Sequence, residues 1–267
     1  MNAQSVALGP TTARATTGSG MFLGFGTFFH KEVREWIRGR RAIVVGSVAL
    51  ASAVLATVIP YIVGTTGAET SQPLSMDPTH NVLVGWAGQT FAIVVLLASM
   101  SLLAAERDRG TLAWGLTLPV SPTSILAAKW LAAVAVLAIV AIGIPLAVSS
   151  GVAAVVYGGV PDVGTIGLFA ILYLAVPAFY VALVLALSTV IKSTGGIAGI
   201  GFLVMFLPSL IGALVPVIGE LSPTAIGGWA MAVATGQPAS PLTLIGFLGS
   251  MAILAVGAKL IFDRQEV

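Results

Sequence analysis

Cysteine is absent from all 267 residues, which excludes disulfides, thiolate-bound metal and a cysteine nucleophile. Charge is almost absent too. Only 8% of the residues are Asp, Glu, Lys or Arg, where a soluble domain carries roughly a quarter. Histidine occurs twice, as His30 and His80, with no paired carboxylate, His-Glu-x-x-His or Gly-x-Ser-x-Gly nearby, so an intramembrane enzyme is disfavoured. No Gly-x-x-x-x-Gly-Lys-Ser/Thr is present, so the chain has no loop of its own to cradle ATP phosphates. The net charge of +2 and the lack of a basic run with interleaved aromatics argue against nucleic acid as a partner.

Apolar surface is abundant instead. Hydrophobic residues make up 57% of the chain and the mean hydropathy is +1.04. The surface must therefore be covered mostly by lipid. A spanning helix needs about 20 apolar residues to cross about 30 Å of hydrocarbon. Six segments pass that test, approximately Ala42–Val63, Val84–Ala105, Trp130–Tyr157, Gly164–Ile191, Gly196–Ile218 and Leu242–Phe262. None has Asp, Glu, Arg or His in its middle, which disfavours a proton relay or a bound coupling ion.

All 12 Lys and Arg residues fall in alternate connections: Arg14, Lys31, Arg34, Arg38, Arg40 and Arg41 before the first span, Arg107, Arg109 and Lys129 between the second and third, Lys192 between the fourth and fifth, and Lys259 and Arg264 at the end. The other connections hold Glu69, Asp77, Asp162 and Glu220. The positive-inside rule then predicts six spans with both termini cytoplasmic. Residues 1–20 predict a disordered cytoplasmic tail, and residues 21–267 one six-span transmembrane domain. Pro145, Pro177, Pro208 and Pro216 lie within predicted spans and should kink them. Gly195 and Gly199 form a GxxxG, a weak signal among 31 glycines.

Three segments outside the spans carry information. At 100° per residue, Phe22, Phe25, Phe29, Val33, Trp36 and Ile37 share one face and Lys31, Arg34, Glu35 and Arg38 the other. That predicts an amphipathic helix in the cytoplasmic interface, ended by Gly39. Between the second and third spans, Glu106, Arg107, Asp108 and Arg109 are followed by Leu112, Trp114, Leu116 and Leu118. A short helix with charges at one end and apolar residues at the other can dock into a groove on a soluble subunit. Ser121-Pro122 reads as an N-cap followed by proline at the first helical position, opening the helix that becomes the third span. Residues 219–241 are too apolar for an ordinary loop and too interrupted to span, and predict a re-entrant or interfacial hairpin.

The stretch Glu106-x-x-x-Gly110-Thr111-Leu112, then Leu118-Pro119-Val120-Ser121, then Ile125-Leu126-Ala127-Ala128-Lys129 resembles the cytoplasmic signature of type-2 ABC transporter permeases. The elbow carrying Phe29, Lys31, Glu32, Arg34 and Trp36 is similar to theirs as well. The resemblance implies a permease subunit of an ATP-driven exporter in the cytoplasmic (inner) membrane of a prokaryote. It implies a dimer with a second permease, the same or homologous, above two ATP-binding subunits that hold ATP and Mg. This chain would bind no cofactor or metal, and its other partner would be membrane lipid. Some members of the family carry large outward domains or a fused ATPase, neither of which is present in this sequence. The resemblance further implies that Glu106, Arg107, Asp108, Arg109, Gly110, Thr111, Leu112, Trp114 and Leu116 form the coupling helix. It implies a translocation path lined by Gln89, Ser99, Met100 and Ser101 of the second span and by Phe202, Met205 and Phe206 of the fifth. Such a lining suits an amphipathic or lipid-like substrate. A secondary transporter, which would want titratable groups at mid-depth, and a non-transporting membrane scaffold are the competing readings.

Overall fold

A computed structural model describes residues 24–66, 75–87, 90–100 and 122–263. All regular structure among them is helical. Helix α1 (Phe25–Arg38) stops at Gly39, which is extended, and α2 (Arg40–Thr65) begins at once. Then come α3 (Pro78–Ala87), α4 (Thr90–Ser99), α5 (Pro122–Leu137), a π-helical segment (Ala138–Gly143) and α6 (Ile144–Tyr157). The chain continues through α7 (Val163–Tyr173), α8 (Ala175–Val190), α9 (Thr194–Leu214) and α10 (Pro216–Leu221). After a 3-10 turn at Pro223–Ala225 it ends in α11 (Ile226–Ala234) and α12 (Pro241–Asp263).

Five continuous helices are long and apolar enough to cross a membrane, and α3 with α4 makes a sixth span if the bent pair counts as one. Five to six spans are therefore present where six are expected, and the second is the one in question. The second span is not a straight rod from Val84 to Ala105: α3 starts at Pro78, and the axes on either side of the break differ by 40°. Two further boundaries differ. The third span begins at Pro122 rather than Trp130, so Lys129 belongs to the helix and not to the connection before it. The fifth ends at Leu214, where Val215 leaves helical geometry, and Pro216 opens the separate α10 instead of kinking α9. The predicted tail, Phe22 and the predicted coupling helix lie outside the described residues.

Helix α8 is the centre of the bundle, packed on α4, α5, α9, α11 and α12. Over the most apolar stretches, 56% of the α7–α8 residues are buried, against 17% in α9 and 11% in α12. Helices α9 and α12 therefore stand at the rim. Gly195 and Gly199 face open space within the subunit.

Proline accounts for two of the departures from α-helix. A proline clashes with the carbonyl four residues before it and leaves that carbonyl without its N–H. Pro177 stands in that relation to Tyr173, where α7 ends. Pro145 stands so to Ala141, and the preceding turn widens until the Ile144 N–H donates to the Ile139 carbonyl, one residue farther back than in an α-helix. Pro60 in α2 does the same to Ala56, against which Gly85 of α3 is packed so closely that a Cβ there would lie 2.9 Å from the Ala56 Cβ.

The breaks in the second and fourth spans are joined. The Tyr173 hydroxyl donates to the Trp86 carbonyl at 2.8 Å, next to the end of α3. Trp86, Phe91, Phe169 and Tyr173 form a cluster with ring centroids 4.8–5.8 Å apart, the separation at which aromatic pairs attract beyond their buried area. At the far end of the bundle from α1, the Tyr157 hydroxyl donates to the Thr57 carbonyl at 2.8 Å and the Asp162 N–H donates to the Thr79 hydroxyl at 2.9 Å. Asp162 also caps α7, accepting from the Thr165 N–H at 2.7 Å. Hydrogen bonds from the Thr165 side chain and backbone hold its carboxyl below the usual range.

The segment predicted as a re-entrant hairpin is helical and folded into the bundle. Helix α10 turns back on α9, with Gly212 and Gly219 so close that a Cβ on Gly212 would lie 2.6 Å from the Gly219 Cα. On its other side the Leu221 backbone lies against Gly246 of α12, where a Cβ would strike the Leu221 carbonyl oxygen. Helix α11 packs on α7, with Gly227 over the Tyr173 ring.

Candidate functional site at the elbow and the third span

Helix α1 is amphipathic, as its sequence predicts, but its inner stripe is rotated from the face the wheel suggests, taking in Phe28 and Glu32 and leaving out Ile37. Phe25, Phe28, Phe29, Glu32, Val33 and Trp36 are the buried or half-buried positions, a spacing of three and four residues that keeps one face against a neighbour. That neighbour is chiefly α5, with α2 alongside. Ile37, placed on the apolar face by its angle, is 61% exposed: it lies 100° past Trp36, beyond the edge of the contact. Lys31, Arg34, Glu35 and Arg38 are on the outer face, as predicted.

Glu32 occupies the middle of the buried stripe. Its Oε1 accepts from Lys129 Nζ at 2.8 Å, with side-chain exposures of 5% for the glutamate and 2% for the lysine. Lys31 Nζ stands 3.5 Å from the same Oε1 and 3.9 Å from a carboxylate oxygen of Glu35, but half in solvent. Taking two charges out of water costs several kcal/mol each. Such a pair survives only where geometry is close and the surrounding structure is fixed. The contact therefore ties α1 to the first two turns of α5, 97 residues apart in sequence. At the next residue, Trp130 Nε1 donates to the Ala178 carbonyl of α8 at 2.9 Å. Elbow, third span and central helix are thus linked by two polar contacts at neighbouring positions.

Of the residues expected to meet an ATPase, Glu106, Arg107, Asp108, Arg109, Gly110, Thr111, Leu112, Trp114 and Leu116 lie outside the described residues. What is described is the helix the segment leads into, and Glu32 and Lys129 at its start. Sequence reasoning placed Glu32 in the elbow and Lys129 at the entrance to the third span but did not pair them. The signal available was a lone acidic residue inside an otherwise apolar helical stripe. A carboxylate at such a position needs a cation.

The described path residues differ in burial. Ser99 and Met205 are fully buried inside the subunit, Met100 and Phe202 half-buried, and Phe206 exposed; Gln89 and Ser101 lie outside the described residues. Helices α4 and α9 do touch, through Leu96 against Gly201, where a Cβ would lie 2.5 Å from the Leu96 Cδ1. Phe202 and Phe206 stack one turn apart with centroids 6.3 Å apart. The Ser99 hydroxyl and the Trp86 indole N–H are buried with no hydrogen-bond partner among the described residues. Both belong to the interrupted second span, Trp86 near the end of α3 and Ser99 at the last position of α4. No cluster of three or more His, Asp or Glu able to hold a metal occurs among the described residues.

The family described as ABC-2 family transporter protein matches residues 27–245, which takes in the elbow, the Glu32–Lys129 pair and five of the spans. A search of curated proteins found no match.

Proposed function

The chain belongs to the ABC-2 family of transporter proteins, and from that premise we propose that it is the membrane half of an ATP-driven exporter whose ATPase is a separate polypeptide. It is a multi-pass transmembrane permease. The buried Glu32–Lys129 contact is the observation that carries the mechanical part of the proposal. Residues 101–121 lead directly into α5, and α5 is pinned to α1 at its second turn. A force applied to that segment by an ATPase closing on ATP is then delivered to the elbow and the third span together, instead of being lost in a flexible joint. Through Trp130 it reaches α8. Spans two and four, interrupted side by side, are the elements that can bend in response. For ATP to drive transport, the inward-open and outward-open states must bind nucleotide and substrate with different affinities.

In this scheme residues Glu106–Leu116 dock to the ATPase, two ATPase copies serve two permeases, and the basic connections face the cytoplasm of a prokaryotic cell. The lack of an acidic residue or histidine in the middle of any span favours an amphipathic or lipid-like cargo over a small ion. The decisive experiment is a gentle-detergent pull-down of the tagged chain from its native membranes with mass spectrometry. A stoichiometric ATPase carrying a phosphate-binding loop is expected, and exchanging Leu112 and Trp114 for glutamate should release it while the spans remain inserted. A chain that purifies alone, even after crosslinking, overturns the proposal. The absence of cysteine gives a clean background for orientation: Ser75→Cys should react with an impermeant thiol reagent from outside and Ser121→Cys should not.

A further inference from the structure

At the end of the bundle remote from α1, the fold-back of α10 leaves a cleft of about 420 Å³ between α9, α10, α11 and the start of α12. Its walls include Gly212 and Gly219, whose close approach fixes the floor, and the side chains of Glu220, Trp229, Ser240 and Thr243. Glu220 is the single ionisable group in this lining. Ser240 Oγ donates to its Oε2 at 2.7 Å, which fixes the carboxylate and leaves Oε1 without a partner among the described residues.

Among the described residues no cation is placed to neutralise it. The sequence has no Lys, Arg or His between Lys192 and Lys259, and none lies within ion-pair distance of Glu220 among the described residues. Among the described residues the other connections at this end hold no Lys or Arg, and His80 of α3 makes no ion pair with Glu220. A carboxylate held at the edge of an apolar bundle, beside an indole and without a counter-charge, is a receptor for a cation. One carboxylate and two hydroxyls are too few oxygens for calcium, which takes six to eight ligands. An indole contributes instead to organic ammonium ions, through its ring face. The rest of the lining, with Pro216, Ala225, Ala232, Pro238 and Ala239, is apolar, suited to an alkyl body attached to the charged head.

We propose that this cleft binds an organic ammonium group carried on an apolar body, with Glu220 pairing the charge and Trp229 covering it. The site stands whether or not an ATPase joins the chain. The test uses the full-length protein in an uncharged maltoside detergent, titrated with hexyltrimethylammonium and, separately, with hexyl sulfate, following tryptophan fluorescence and melting temperature. Saturable binding of the cation and none of the sulfate is expected. Glu220→Gln should weaken the cation about fivefold and Trp229→Leu about threefold, in line with partly exposed charge and cation–π contacts. Ser240→Ala, which spares the carboxylate, should have a smaller effect. Phosphatidylethanolamine added to the micelles should displace the probe if the natural ligand is a lipid amine head; undiminished probe binding identifies a free ammonium compound instead. Equal binding of hexyltrimethylammonium and hexyl sulfate by the wild type, or unchanged affinity in a normally melting Glu220→Gln protein, overturns the proposal.

Discussion

The two ends of the bundle are held together by opposite means. At the α1 end a buried ion pair joins α1 to α5. At the other end, α10 is held between α9 and α12 by backbone contacts that only glycine permits, at Gly212, Gly219 and Gly246. A buried charge pair holds only at close geometry, and removing one member leaves an uncompensated buried charge. A glycine crossing is short-ranged and has no polar group to lose, yet it admits no added atom. One end is chemically demanding, the other sterically so.

Breaking the ion pair should have the largest effect. Lys129→Met or Glu32→Gln alone should cost about 3–5 kcal/mol, read as a large fall in melting temperature in detergent. Glu32→Met together with Lys129→Met should recover most of that loss, because two well-packed apolar side chains replace such pairs at little cost. If the double variant is stable but no longer couples ATP hydrolysis to transport, the pair serves the machine more than the fold. If the singles melt like the wild type, the pair is not closed in the membrane.

Gly246→Ala is the matching experiment at the other end. Its Cβ would collide with the Leu221 carbonyl, so a shift of α10 and a loss of about 1–3 kcal/mol are expected. Size-exclusion profiles after graded heating would show it, and an unshifted profile would mean that α10 is not pressed against α12. Tyr173→Phe leaves the buried Trp86 carbonyl without its hydroxyl donor and should cost about 1 kcal/mol, measurable in the same assay. Ser99→Ala should be smallest and of opposite sign. It removes a buried hydroxyl that has no partner among the described residues, so it should raise stability by a few tenths to about 1 kcal/mol.

The difference between the two ends also governs what could be read from the chain. Composition alone required membrane helices, and the spacing of apolar runs located the spans, because the length of a spanning helix is set by the bilayer. Pro122 announced the start of the third span, and the helical wheel found the elbow. Three features were not legible. Lys129 resembled a loop cation because runs are scored by hydropathy, and a lysine with a buried partner 97 residues away looks the same in sequence as a solvated one. The break in the second span has no proline to mark it, and the aromatic cluster beside it draws on residues from two spans. Residues 219–241 carried a composition between loop and span, and their folding depends on glycine contacts that periodicity does not encode. The path residues were nominated by span through the resemblance, and within the subunit Met205 is buried and Phe206 exposed.

The π-helical segment at Ala138–Gly143 has a consequence for how the third span can change over time. One residue more than an α-turn holds acts as a frameshift in the order in which helix faces are presented: everything after it is rotated by about 100° relative to an uninterrupted helix. The α5 half is phased to set Lys129 against Glu32, and the α6 half is phased to set Tyr157 against Thr57. Deleting one residue between 138 and 143 would make a more regular helix and dephase the two ends, turning Tyr157 away from α2. The irregular turn is what lets a single continuous span keep two appointments, so regularity here would be a loss.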